Sequence, residues 1–163
     1  GLIHGDLHDE NILLLSDLES DVNSSGSSSL YGLAARKNDV KKIFGLIDFE
    51  DMYQSYCVID LATVLCYFMI ASKNDNILEI SSYILSGYSE KVVLTNSEWN
   101  VLYSLVCGRY IQELALCEVE GLKQDTNDYL KTCFKDGWPQ VELLIEMEED
   151  HVLKTWQKAC SKD

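Results

Sequence analysis

The sequence predicts an α+β protein in which a small antiparallel hairpin packs on a mainly helical body. Two apolar runs of strand length lie before residue 50, at Ile12–Leu15 and at 42–49, and the second is rich in β-branched and aromatic residues. Beyond them, hydrophobic residues recur with helical spacing. With 163 residues in total, the chain fits one domain.

The two strands are expected to pair across a polar insertion. Residues 16–41 contain a Ser-rich run at 24–29 and several acidic side chains, which is the composition of a linker. We therefore expect 16–41 to be a flexible insertion outside the core.

Helix signals follow in order after the second strand. The segment Asp60–Ile70 is apolar nearly all round, as in a buried helix, with Asp60 placed as its N-cap. A weaker helical pattern covers Ile77–Tyr88. Thr95 and Glu98 have the spacing of a capping box, which predicts a helix from about Glu98 to Glu120 that Gly121 closes.

Glycine and proline set the expected limits of the last two helices. Asn127 begins a helix that Gly137 is expected to end, and Pro139 fits the first turn of a final helix with an apolar stripe reaching Trp156. The helical body is thus expected to span 60–163.

The composition excludes two classes of function. There are 13 Lys and Arg residues against 27 Asp and Glu, and Arg36 and Arg109 are the two arginines, so no basic stripe exists to neutralise nucleic-acid phosphates. The longest apolar run, 61–71, is well short of the roughly 20 residues of a membrane helix. We expect no nucleic-acid or membrane partner.

The first residues and the cysteines indicate a cytoplasmic protein. Residues 1–6 have neither a basic stretch nor a long apolar core, so no signal peptide is expected, and the lack of an initial Met suggests a piece of a longer protein. No Cys-x-x-Cys pair exists, which favours reduced thiols over disulfides or zinc. The cysteines are Cys57, Cys66, Cys107, Cys117, Cys133 and Cys160.

The polar segment 4–11 carries the densest chemistry of the chain. Asp6 and Asn11 have the spacing of a kinase catalytic loop, in which Asp accepts the proton of the substrate hydroxyl and Asn binds magnesium. Asp48, in Ile-Asp-Phe, stands where kinases place a metal-binding carboxylate. Pairing of the strands would bring the two loops together, and Asp and Asn oxygens suit the hard Mg²⁺ ion.

Two segments, His4–Leu13 and Gly45–Met52, resemble the aminoglycoside phosphotransferase family of small-molecule kinases. The similarity continues through 127–130, Gly137–Trp138 and Trp156. The resemblance implies the C-terminal lobe of a protein-kinase-like fold and Mg²⁺-dependent phosphorylation of the hydroxyl of 5-hydroxylysine, with GTP or ATP as donor. It also implies an N-terminal lobe in cis, absent from this chain, that completes the nucleotide site.

By the same match, Asp6 is the catalytic base in a loop at 4–11, and Asn11 and Asp48 are the metal ligands, with the metal loop at 47–51. Two positions depart from the pattern of the most similar kinases. Glu50 replaces a Gly, and His8 replaces an Asn.

Several neighbours are expected to support the site. His4 is expected to pack against Phe49 rather than to move protons. Asp60 either caps its helix or also hydrogen-bonds the backbone of the catalytic loop, and the two roles are compatible. His8 and Asp9 either contact metal or substrate or form a solvated loop face.

The substrate 5-hydroxylysine, which the resemblance implies, carries one carboxylate and two ammonium groups. Arg109 lies among apolar residues, so it pairs with Glu113, pairs with another carboxylate, or binds the substrate carboxylate. Asp9 and Glu50 are candidates for the ammonium groups, and Asp51 for support of the metal loop. The acidic surplus would attract a cationic substrate.

Two alternatives stay open at this point. The chain could be an inert fragment or an interaction module. Gly5-Asp6-Leu7-His8 also has the Gly-Asp-x-His form of metallophosphoesterases, although three histidines in the whole chain are few for a two-metal site.

Overall fold

The computed structural model describes residues 1–15, 42–72, 76–121 and 128–161, and is an α+β structure. Five helices follow two pairs of short strands. The elements are β1 (Leu2–Ile3), a 3-10 turn (Asp9–Asn11), β2 (Ile12–Leu15), β3 (Lys42–Leu46), β4 (Tyr53–Gln54), α1 (Cys57–Ala71), α2 (Ile77–Ser89), α3 (Asn96–Gly121), α4 (Asp128–Glu146) and α5 (Glu149–Cys160).

The predicted hairpin is confirmed, and a second strand pair lies beside it. Strands β2 and β3 are antiparallel, with Ile12 opposite Leu46. Strands β1 and β4, which the sequence analysis did not predict, also pair antiparallel, with Leu2 opposite Gln54. Strand β3 ends before residue 47 because Asp48 adopts a left-handed backbone with φ of 63°, which a strand cannot contain. The insertion predicted at 16–41 lies outside the described residues.

The first helix begins earlier than predicted. Tyr56 is at the N-cap position of α1, and Asp60 lies inside the first turn, so the assignment of Asp60 as N-cap was wrong. The Asp60 carboxylate accepts hydrogen bonds from the backbone of the segment 4–11 instead. The other role considered for Asp60 is therefore the one present.

The capping box at the start of α3 is confirmed. Glu98 N donates to Thr95 Oγ1 over 3.3 Å, and Thr95 N donates to Glu98 Oε2 over 2.7 Å. The hydrogen bonds that the Glu98 carboxylate accepts from Thr95 N and Thr95 Oγ1 lower its pKa. The signal was readable from sequence because both partners lie within one turn.

The predicted break at Gly137 and Pro139 was wrong, since α4 runs through both residues. Gly137 is buried against α3, where a Cβ atom would overlap the Leu114 side chain, so the glycine allows close helix packing. A proline inside a helix costs about 3 kcal/mol, and burial of Val141 and Leu144 offsets this. The predicted start at Asn127 lies outside the described residues.

Helix α4 ends at Glu146, nine residues after Gly137, where the sequence analysis placed its end. Glu148, between α4 and α5, has φ of 61°, a left-handed conformation that ends the regular helix. The last helix therefore begins at Glu149 rather than near Pro139.

The hydrophobic core lies between the helices. Its largest fully buried side chains include Trp156, Tyr110, Leu65 and Met69. The buried indole nitrogen of Trp156 is hydrogen-bonded, because Nε1 donates to Ser81 Oγ over 2.8 Å. Helix α1 packs on α3 and also contacts β1 and the 3-10 turn, so the core extends directly to the strands.

No helix within the described ranges is long and apolar enough to cross a membrane. The thiols of Cys57, Cys107 and Cys160 are free, as predicted. Burial raises the pKa of Cys107 and Cys160, which keeps both protonated.

Replacing Gly137 with Ala tests its role in helix packing. The added methyl group has to displace the buried Leu114 side chain, so we expect Gly137→Ala to lower the free energy of unfolding by about 1–3 kcal/mol. Gly87→Ala is the matched control, because no atom lies within 4 Å of the position of its Cβ. It should raise the free energy of unfolding by about 0.5–1 kcal/mol. Urea unfolding measures both, and stabilisation by both variants would contradict the packing role.

Candidate active site

The loop that carries Asp6 is fixed to α1 by one carboxylate. Asp60 Oδ2 accepts a hydrogen bond from His4 N over 2.7 Å, and Asp60 Oδ1 accepts one from Gly5 N over 2.9 Å. Gly5 has φ of 85°, and a Cβ atom there would overlap the Asp51 carbonyl. Only glycine allows this close approach of the two loops.

The carboxylate of Asp6 is held from both sides. Arg109 Nη2 donates to Oδ1 over 3.2 Å, and the Tyr67 hydroxyl lies 3.2 Å from the same atom. His8 Nε2 lies 3.3 Å from Oδ2. The Asp6 side chain keeps 27% of its surface exposed, so a reactant can still reach it.

The hydrogen bonds of His8 indicate its tautomer. Glu10 N donates to His8 Nδ1 over 3.3 Å, at the start of the 3-10 turn. Because Nδ1 accepts there, Nε2 carries the proton and points it at Asp6. The ring packs against Tyr67 with centroids 5.1 Å apart. His8 therefore orients Asp6 rather than forming a solvated loop face.

Three side chains from α1 and α3 meet behind Asp6. The Tyr67 hydroxyl donates to Glu113 Oε2 over 2.8 Å and accepts from Arg109 Nη2 over 2.9 Å. Burial and the adjacent Glu113 raise the pKa of Tyr67 well above its usual value, so the phenol stays protonated. Burial lowers the pKa of Arg109, but Tyr67 and Glu113 raise it by more. The guanidinium stays charged.

Sequence analysis did not assign a site role to Tyr67. It was assigned to the core with its neighbours, and its ring is indeed buried. For Arg109, the pairing with a carboxylate other than Glu113 is the one observed, since its ion pair is with Asp6. Arg109 Nη1 also donates to Gln112 Oε1 over 3.3 Å.

Backbone hydrogen bonds link the loop of Asn11 to the loop of Asp48. Asn11 Nδ2 donates to the Asp6 carbonyl over 2.9 Å, which leaves the amide oxygen as the atom able to bind a metal. Ile47 N donates to the Asn11 carbonyl over 3.1 Å, and the Ile47 carbonyl lies 2.9 Å from His4 Nε2. Asp48 follows directly, with its side chain exposed and its backbone left-handed.

The contact predicted between His4 and Phe49 is present. Their ring centroids lie 5.0 Å apart at an interplanar angle of 51°. Because Nε2 of the same ring hydrogen-bonds to Ile47, His4 links the loop that carries Asp6 to the segment that carries Asp48.

The remaining acidic candidates differ in access. Asp9 is 4% exposed, which contradicts a solvated loop face and speaks against contact with a substrate ammonium group. Burial raises the pKa of its carboxyl, and Oδ2 has no partner among the described residues. Glu50 and Asp51 are exposed in the turn after Phe49.

The donor set suits magnesium bound together with a phosphate. Within the described ranges, no three His, Cys, Asp or Glu side chains are grouped to hold a metal ion by themselves. The Asn11 amide oxygen and the Asp48 carboxylate offer two hard oxygen ligands. Mg²⁺ commonly takes one or two such protein ligands and completes its shell with water and phosphate oxygens.

Comparison with known proteins gives one consistent similarity. The chain is 32% identical to the hydroxylysine kinase of Bos taurus over 154 residues, which are 94% of this chain and 36% of that protein. It is 32% identical to the Mus musculus hydroxylysine kinase over the same share of each chain, and 29% identical to the Danio rerio enzyme over 98% of this chain and 39% of the relative. The chain therefore spans little more than a third of the length of these relatives. No family model and no solved structure matches it.

Replacing Asp60 tests the anchoring of the loop. Asp60→Ala removes both acceptors of the His4 and Gly5 amides, and we expect the free energy of unfolding to fall by about 3 kcal/mol, since hydrogen bonds to a charged group contribute about 1.5–3 kcal/mol each. Asp60→Asn keeps one acceptor oxygen, so its free energy of unfolding should lie between those of the parent and Asp60→Ala. Asp150→Ala is the control, because its carboxylate makes an exposed pair with Lys154 at 3.9 Å that contributes little. Denaturant unfolding measures these free energies. An equal loss in Asp60→Ala and Asp150→Ala would contradict the anchoring role of Asp60.

Proposed function

We propose that this chain is the catalytic part of a small-molecule kinase that transfers the terminal phosphate of GTP or ATP to the hydroxyl of 5-hydroxylysine. The observation that supports this most directly is the arrangement of Asp6, Asn11 and Asp48 on two loops joined through Ile47. The similarity to hydroxylysine kinases supports the choice of acceptor. The chain then corresponds to a lobe of a protein-kinase-like fold.

Asp6 orients the acceptor in this proposal. Its carboxylate accepts a hydrogen bond from the substrate hydroxyl, whose oxygen attacks the terminal phosphorus atom. The bond from that phosphorus to the bridging oxygen breaks, the nucleoside diphosphate leaves, and the hydroxyl proton passes to Asp6. Because a carboxylate is a weak base, the proton moves late and positioning provides most of the rate enhancement.

Asn11 and Asp48 hold the metal in this proposal. Bound Mg²⁺ would offset the charge of the phosphate groups. Asn11 is prepared for this because its amide nitrogen is occupied by the Asp6 carbonyl. Asp48 is positioned for metal binding because the preceding residue, Ile47, is hydrogen-bonded through both its N–H and its carbonyl group.

The substrate groups match charges that are already near the loops. The exposed carboxylates of Glu50 and Asp51 suit the ammonium groups of 5-hydroxylysine, and the net charge of −14 attracts a cation over distance. Arg109 is bonded to Asp6 through Nη2, so Nη1, beside the exposed Gln112, is the end that we assign to the substrate carboxylate.

The rest of the nucleotide site is proposed to come from the remainder of a longer protein. The chain spans 36% of the two mammalian relatives, and a kinase also needs a phosphate-covering loop and a strand lysine. The 163 residues by themselves are accordingly proposed to lack phosphotransfer activity. Neither an interaction module nor a two-metal phosphoesterase is favoured by a contact in the described residues.

A substrate panel tests the reaction. With the full-length protein, we expect phosphorylation of 5-hydroxylysine to exceed that of choline or an aminoglycoside, with ATP and GTP assayed in parallel, and lysine to give no product because it has no hydroxyl. Asp6→Asn keeps the shape of the side chain and should lower turnover by about 100-fold or more, with the KM for substrate little changed. Highest activity on choline would contradict 5-hydroxylysine as the substrate but would still support a small-molecule kinase. Turnover of the Asn variant within a few-fold of the parent would overturn the role of Asp6.

Titration of Mg²⁺ against nucleotide binding tests the metal ligands. Asp48→Ala should raise the Mg²⁺ concentration needed for half-maximal nucleotide binding by at least about 10-fold, because a charged oxygen ligand is lost. Asn11→Ala should act in the same direction but less strongly. Asp48→Asn keeps one neutral oxygen and tolerates the left-handed backbone, so it should fall between the parent and Asp48→Ala. Unchanged Mg²⁺ dependence in Asp48→Ala would refute the metal role.

A further inference from the structure

We infer that Glu113 is a positioning residue that controls, through Tyr67, how many hydrogen bonds the Asp6 carboxylate receives. The inference rests on the proposed function, since it assigns Asp6 the role of proton acceptor. Neither Tyr67 nor Glu113 is needed to bind metal or nucleotide in that proposal. Both side chains are nonetheless buried in contact with the site, at 6% and 8% exposure.

The distances place the Tyr67 hydroxyl between two carboxylates. Its oxygen lies 2.8 Å from Glu113 Oε2 and 3.2 Å from Asp6 Oδ1. A phenol has one proton, so it donates to one of the two at a time. The shorter distance assigns that proton to Glu113.

Arg109 completes the arrangement without competing for that proton. Nη2 carries two hydrogens, and it lies 2.9 Å from the Tyr67 oxygen and 3.2 Å from Asp6 Oδ1. One hydrogen serves each acceptor. Tyr67 therefore accepts from Arg109 and donates to Glu113, which makes the three side chains one directed set of hydrogen bonds.

The count of lone pairs on Asp6 shows what Glu113 does. Each carboxylate oxygen has about two acceptor sites. Arg109 occupies one on Oδ1 and His8 Nε2 occupies one on Oδ2, so one on each oxygen stays open for a reacting hydroxyl. If Tyr67 turned its proton from Glu113 to Asp6, Oδ1 would be filled and the carboxylate would be a poorer acceptor.

This geometry predicts that loss of the Glu113 acceptor harms Asp6 only while the Tyr67 hydroxyl is present. Without Glu113, the hydroxyl turns to Asp6. Without both, Asp6 keeps Arg109 and His8 as partners, and one acceptor site on each of its oxygens stays open. If Glu113 and Tyr67 served only to pack α1 on α3, replacing both buried side chains should lower kcat more than replacing one.

A double-mutant cycle in the full-length protein separates the two outcomes. Glu113→Leu should lower kcat by about 10- to 100-fold with the KM for 5-hydroxylysine within about 2-fold of the parent, and Tyr67→Phe should lower kcat by less than about 10-fold. The double variant should return to the level of Tyr67→Phe. Glu113→Gln retains an acceptor oxygen for Tyr67 and should restore most of the activity lost in Glu113→Leu.

Two control variants separate the site from general stability. Tyr110→Phe removes another buried hydroxyl, which lies 3.4 Å from Gln140 Oε1 and away from Asp6, and should leave kcat unchanged. Glu118→Gln removes an exposed charge on the same helix as Glu113 and should also leave kcat unchanged. The thermal midpoint of every variant is measured alongside the kinetics.

Each outcome bears on a different claim. A double variant slower than Glu113→Leu, or parental kcat in Glu113→Leu, overturns the positioning role alone. If Glu113→Leu does not fold, Glu113→Gln is measured alone and together with Tyr67→Phe. A loss of kcat in Glu113→Gln that is not relieved by adding Tyr67→Phe contradicts the positioning role of Glu113. A parent that phosphorylates no hydroxylated amine overturns the proposed function and this inference with it.

Discussion

The Asp60 carboxylate is the contact on which the geometry of the candidate site depends. It accepts the amides of two successive residues, His4 and Gly5, and so fixes the direction in which the chain enters the loop at Asp6. From there the constraint passes through the His4 ring to the Ile47 carbonyl, and from Ile47 to Asp48. One side chain of the helical body thus helps to set the positions of two loops.

The site also balances its charges at the interface of two helices. Asp6 and Glu113 are both acidic. The Arg109 guanidinium pairs with Asp6 and donates to the Tyr67 hydroxyl, which in turn donates to Glu113. Removing a buried charge from its partners is costly, so each member of this group holds the others in place. Packing of α1 on α3 and the orientation of Asp6 are therefore parts of the same arrangement.

Local signals in the sequence predicted the hairpin and the capping box, but they misplaced helix ends at Asp60 and Gly137, where contacts between distant residues decide the structure. The capping box at Thr95 and the pairing of β2 with β3 depend on neighbouring residues or on strong apolar runs. Gly137 was taken for a helix end because its sequence context resembles one, whereas its actual role depends on Leu114 of another helix. Tyr67 lies in an apolar run, and nothing in that run indicates that its hydroxyl meets Glu113.

The sequence distances bridged by these contacts affect how the protein unfolds. Asp60 reaches His4 across 56 positions, and Arg109 reaches Asp6 across 103. Contacts that span such distances form late and cost more chain entropy than the hydrogen bonds within a helix. A mild denaturant or a raised temperature should therefore release Asp6 from its partners while the helices are still formed, so that the arrangement of side chains around Asp6 is lost before the helical circular dichroism signal.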